Sequence, residues 1–152
     1  MTQTSAADSK CIENYGSESI NEMVKKLKAT SDSRRRYEYV LWLAKKLPNL
    51  PEELRTETLK VKGCVSKVFV LGKLVNGRFE WQGYSDALIT RGLLAFLIQG
   101  LNQLTPGEVL AINPSFITAT GLNGSLTPSR ANGFLNILLS MQAQAKAHAR
   151  NI

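Results

Sequence analysis

The feature that most limits what this chain can fold into is Asn76-Gly77, set between two apolar segments rich in strand-forming residues. Both residues tolerate positive φ, so the pair favours the tight turn whose twist suits an antiparallel hairpin. Before it, residues 61–74 are rich in Val, Phe and Leu and carry no helix caps. After it, Phe79-Glu80-Trp81-Gln82 alternates apolar and polar as a half-buried strand does. A hairpin over residues 65–84 is predicted, with a short strand near residues 59–62 as a third member.

Helical signals surround the hairpin. Ser19-x-x-Glu22 has the form of a capping box, and Ile20, Met23, Val24 and Leu27 recur at helical spacing. Asp32 or Ser33 can cap a second helix with Tyr37, Val40, Leu41, Ala44 and Leu47 on one stripe. Pro48 and Pro51 stop it, and Pro51-Glu52-Glu53-Leu54 suits one further turn. Ser85 is read as the cap of the next helix, with Asp86 in its first turn. Residues 87–101 are apolar on nearly every side, which marks the central helix. Thr105-Pro106-Gly107-Glu108 opens a short helix, and residues 113–126 read as loop with a turn at Phe116. Thr127-Pro128 starts a last helix with Phe134, Ile137, Leu138, Met141 and Ala145 facing inward. Trp42, Trp81 and Phe96 are expected in or beside the core. The fold class is α+β: a small three-stranded antiparallel sheet packed against helices. Residues 1–16 are expected to form a flexible polar lead-in, and residues 17–152 a single domain.

Composition narrows the function. The chain has 152 residues, 43% of them apolar, enough for one packed domain. The most apolar run, residues 93–98, is too short to cross a bilayer. Residues 1–15 are polar, with no apolar signal region, so a cytoplasmic location is expected. Of the net charge of +7, most lies in residues 1–78, with 15 Lys/Arg against 9 Asp/Glu. Arg34-Arg35-Arg36 lacks the interleaved aromatics of a single-strand binder, so a solvated face or docking to an acidic protein partner fits at least as well as nucleic acid.

The two cysteines, Cys11 and Cys64, form no C-x-x-C pair and are too few for a thiolate metal site. Cys64 stands in Lys62-Gly63-Cys64-Val65-Ser66, at the entrance to the hairpin. Gly63 permits an unusual backbone conformation there, so the thiol sits on a tight loop. Lys60, Lys62 and Lys67 are near in sequence, and a cation approaching the sulfur would favour the reactive thiolate. Periodicity alone favours an inert, buried cysteine; the glycine loop is what raises Cys64 above that. Cys11 lies in the polar lead-in, where an exposed thiol needs no function. His148 is the lone histidine and sits near the end of the last helix. No phosphate loop, H-E-x-x-H or dinucleotide fingerprint is present.

The stretch Val61-Lys62-Gly63-Cys64-Val65-Ser66-Lys67-Val68 resembles the active-site segment of the SufE family, which includes CsdE-like members. The resemblance continues through Gly83-Tyr84-Ser85-Asp86-Ala87, Arg91-Gly92-Leu93 and Leu126-Thr127-Pro128-Ser129-Arg130-Ala131-Asn132-Gly133, covering roughly residues 20–145. It implies a fold like the IscU-type scaffold. It also implies an accessory sulfur carrier without cofactor, rather than an enzyme. Cys64 would take persulfide sulfur from a PLP-dependent cysteine desulfurase, stimulate it, and deliver the sulfur for iron–sulfur cluster assembly. By motif position, Asp86 and Arg130 shape the cysteine loop and its docking, with Gly63 and Ser66 supporting the loop. An Asp86–Arg130 ion pair bracing the loop is a further expectation, since a cation in a helix's first turn calls for an anionic partner. The implied partners are a SufS- or CsdA-like desulfurase and a SufBCD-like scaffold complex. Nucleic acid and membrane are not among them, and a homodimer is compatible.

Sulfur exchange of this kind is the analogue of thiol–disulfide exchange, so it needs an accessible nucleophile and a good leaving thiolate but no metal. An IscU-like iron–sulfur or zinc scaffold is the main alternative, but it wants about three thiolates. A basic nucleic-acid module and a thiol peroxidase are the others. The first would bind with steep salt dependence and without need of Cys64; the second would consume peroxide without a desulfurase.

Overall fold

The computed structural model describes residues 14–64 and 66–150. Residues 1–13, and with them Cys11, lie outside the described residues, as does Val65. Two helices come first, α1 (Glu18–Lys28) and α2 (Ser33–Ala44), followed by single 3₁₀ turns at Glu52–Leu54 and Glu57–Leu59. Strands β1 (Val68–Val75) and β2 (Arg78–Ser85) form the hairpin. The chain then continues through α3 (Leu88–Leu101), α4 (Pro106–Leu110), α5 (Phe116–Ala119), a 3₁₀ turn at Leu122–Gly124, and the long α6 (Pro128–Arg150).

The hairpin turns at Asn76 and Gly77, both at positive φ, and pairs antiparallel from Val75↔Arg78 to Val68↔Ser85. Among the described residues the sheet has two strands, not the expected three. Residues 59–62 contribute only one antiparallel bridge, Lys60↔Phe69, with Val61 N–H donating to the Val68 carbonyl at 2.8 Å. The edge is already occupied beyond that point. The Gln144 side chain of α6 donates to Val70 O at 2.8 Å and accepts from Gly72 N–H at 2.9 Å. One side-chain amide thus satisfies the groups that a third strand would have paired.

Helix α3 is the hub, buried on most sides and packed against α1, α2, α6 and β2. Gly92 lets α3 approach the backbone of α2, where any Cβ would run into the carbonyl of Val40. Phe96, Phe116 and Phe134 form an aromatic triangle with ring centroids 5.5–5.9 Å apart. The inner face of α6 is the one expected, with Phe134, Ile137, Leu138, Met141 and Ala145 all buried.

Tertiary contacts moved several local features. The α1 cap is Ser17, not Ser19: its hydroxyl accepts from Ile20 N–H and donates to the Gly100 carbonyl at 2.5 Å. Residues 14–16 belong to the packed body rather than the lead-in. Tyr15 is buried beside Phe116, and its carbonyl accepts from Asn113 N–H. Trp81 and Phe96 are buried, but Trp42 is 47% exposed, stacked on Tyr39 under the Lys46 ammonium. Helix α3 begins at Leu88 with Ala87 as its cap, so Asp86 stands ahead of the helix instead of in its first turn.

Candidate functional site

Two anchors define the loop that carries Cys64. On the N-terminal side, the Val61–Val68 hydrogen bond ties the chain to the head of β1. On the C-terminal side, Lys67 N–H donates to Asp86 Oδ1 at 3.0 Å, and Asp86 N–H donates back to Lys67 O at 3.3 Å. Asp86 therefore closes the mouth of the hairpin. Between the anchors the chain turns at Lys62 and Gly63, where φ is +82°, a left-handed conformation that glycine adopts without steric cost.

The loop rests on the N-terminal half of α6. Thr127 immediately precedes that helix, its hydroxyl accepting from Arg130 N–H at 3.3 Å. Arg130, Gly133 and Asn136 follow at intervals of three and so share one face. The Cys64 thiol is half-buried and donates a long hydrogen bond to the Gly133 carbonyl, 3.8 Å away. A Cβ at position 133 would meet the sulfur at an ordinary van der Waals distance of 3.6 Å. The Asn136 amide donates to the Gly63 carbonyl at 3.0 Å. Cys64, Ser66, Thr90, Ser129, Arg130 and Gly133 enclose a cavity of about 20 Å³. The Ser66 and Thr90 hydroxyls are in long contact at 3.5 Å.

Burial pushes the Cys64 thiol above its ordinary pKa, because leaving water penalises the thiolate. The neutral S–H facing a carbonyl acts in the same direction. The thiol is thus half-sheltered, and fuller exposure to solvent or an incoming cation would favour its thiolate.

Cys64, Ser66 and Arg130 line one cavity, and Gly63 precedes Cys64 on the loop. Asp86, between β2 and α3, anchors the end of that loop and does not line the cavity. The expected Asp86–Arg130 ion pair is absent among the described residues. The carboxylate is engaged by the Lys67 backbone, while Arg130 lines the cavity. His148 is remote from the thiol and lies edge-on to Phe79 at the other end of α6. Sequence reasoning missed Asn136 and Thr90. Asn136 was open to discovery, since it continues the Arg130–Gly133 face by three residues. No group of three or more His, Cys, Asp or Glu side chains among the described residues is placed to hold a metal ion.

The chain belongs to the SufE family, described as an Fe-S metabolism associated domain, whose match covers residues 21–145. An uncharacterized SufE-like protein of Synechocystis is 48% identical over 128 residues, spanning 84% of this chain and 80% of that protein. A cysteine desulfuration protein SufE of Plasmodium vivax is 38% identical over 128 residues, spanning 80% of this chain but only 50% of its own length. The solution structure of a hypothetical protein from Thermus thermophilus superposes with a TM-score of 0.75 at 25% identity, covering 86% of this chain and 96% of that one.

Proposed function

We propose that this protein is an accessory sulfur carrier: Cys64 accepts sulfane sulfur from a PLP-dependent cysteine desulfurase, stimulates that enzyme by clearing its persulfide, and passes the sulfur toward iron–sulfur cluster assembly. The observation that carries this reading is the thiol's setting. It is half-buried on a loop anchored at both ends, over a cavity of about 20 Å³ that Arg130 helps to line. A space of that size is close to what a single small atom needs. The family membership and the name of the Plasmodium relative point the same way.

In the transfer step the Cys64 thiolate attacks the outer sulfur of the desulfurase's persulfide. A new S–S bond forms on Cys64, the donor's S–S bond breaks, and the donor cysteine leaves as thiolate. No net oxidation occurs and the chain needs no cofactor. Arg130 stabilises the anionic sulfur, and Asp86 holds the hairpin mouth so that the loop moves as a unit. Delivery goes to a SufBCD-like scaffold, and the cytoplasm is the compartment we assign. Among the described residues no helix is long and apolar enough to cross a membrane.

Incubation with a cysteine desulfurase and cysteine, followed by intact mass measurement, tests the proposal. One added sulfur is expected on the native chain and none on Cys64→Ser. Sulfur loading that survives in Cys64→Ser refutes it.

A further inference from the structure

One polar contact beside the thiol plays no part in the exchange chemistry as written. Asn136 stands at the rim of the site, its amide donating to the Gly63 carbonyl. Glycine and asparagine are fitted to each other at this point. A Cβ at position 63 would lie 2.6 Å from Asn136 Nδ2, so the amide occupies the space that only glycine leaves free. The bond joins α6 to the apex of the cysteine loop, one residue from the nucleophile. The loop's other hold on α6 among the described residues is the long S–H contact with Gly133. That contact is lost whenever the thiol ionises, because a thiolate has no proton to donate.

We propose that Asn136 is a positioning residue for sulfur transfer: its grip on the Gly63 carbonyl latches the Cys64 loop against α6 and sets how often the thiol is presented. Breaking the bond frees the segment between its two anchors without disturbing a core side chain. A single neutral hydrogen bond is strong enough to hold the resting state and weak enough for a docking partner to displace. Its net worth corresponds to a change of roughly two- to tenfold in a local opening equilibrium. Sulfur traffic through the latch rests on the carrier reading above; the latch itself does not.

The test is the rate of Cys64 alkylation by iodoacetamide in the full chain, read by mass spectrometry on the peptide that contains Cys64. Native protein is compared with Asn136→Ala and with Asn136→Leu, which keeps side-chain bulk but has no donor. Both variants are expected to react roughly two- to tenfold faster at neutral pH. The midpoint of their rate–pH profiles should fall toward that of an ordinary thiol, with the melting temperature nearly unchanged. Native rates in both variants overturn the proposal. So does faster alkylation matched by general protease sensitivity, since global unfolding then explains it. No desulfurase enters this assay. A chain that never loads sulfur can still reveal the latch, and a chain that loads normally but alkylates at native rates in both variants loses the latch alone.

Discussion

Replacing Gly63 with alanine places a side chain where the backbone is left-handed, at φ +82°. A non-glycine residue in that region costs roughly 1–2 kcal/mol. The new methyl also meets Asn136, at 2.6 Å from Nδ2 and 3.3 Å from Cγ. The amide is the free end of a side chain and can rotate away, but it then gives up its bond to the Gly63 carbonyl, worth about 1 kcal/mol. The closed loop is thus destabilised by about 2–3 kcal/mol. That is small beside the roughly 5–15 kcal/mol that holds a domain together, so the fold persists while the loop opens. The loop-opening equilibrium should rise by roughly 30- to 150-fold, up to the point where the loop is mostly open. Hydrogen exchange resolved on the peptide spanning residues 62–67, with α3 as internal reference, measures this directly. Loop protection equal to the native protein's in a folded Gly63→Ala chain would refute the reasoning.

Three other outcomes follow from the same geometry. Burial raises the Cys64 pKa in the folded chain. Its contribution to stability is therefore intact below the unfolded thiol's pKa and lost as pH rises through the folded value. Alkylation of folded protein should accelerate at higher pH than that of urea-unfolded protein, and coincident profiles would contradict this. Arg130→Ala should lower sulfur acceptance from a desulfurase while stability stays within about 0.5 kcal/mol; normal acceptance in that variant would remove Arg130 from the site. Gly92→Ala drives a methyl into the Val40 carbonyl and should cost about 2 kcal/mol or more, lowering the melting temperature by roughly 4–8 °C. A thermal melt that matches the native one would show that α2 and α3 can separate freely.

The parts of the fold governed by neighbours in sequence were legible. Asn76-Gly77 announced the hairpin because turn chemistry is local, and Thr105 to Glu108 forms the capping box it spells. What failed depended on distant partners. Ser17 displaced Ser19 as a cap because its hydroxyl also reaches Gly100, 83 residues away. The missing third strand traces to Gln144, whose amide fills the edge of β1 from 72 and 74 residues away. No pattern within residues 59–75 encodes that. Trp42 was expected in or beside the core, yet it is 47% exposed and stacks on Tyr39. Around the candidate site, the tight loop before β1 was legible from Gly63, which takes a φ of +82° beside Cys64. The partner of Asp86 was not, since a backbone N–H in the preceding loop competes with a guanidinium, and no sequence pattern ranks the two.

Pinning the chain at Val61 and again at Lys67 gives the sulfur a short tether. Cys64 stands three residues from each fixed point, and an extended chain covers about 3.4 Å per residue. Even fully unfurled, the sulfur-bearing residue therefore ranges no farther than about 10 Å from either moor. On the carrier reading proposed above, a donor would therefore bring its own cysteine out to this rim, and exchange would take place where the two surfaces meet.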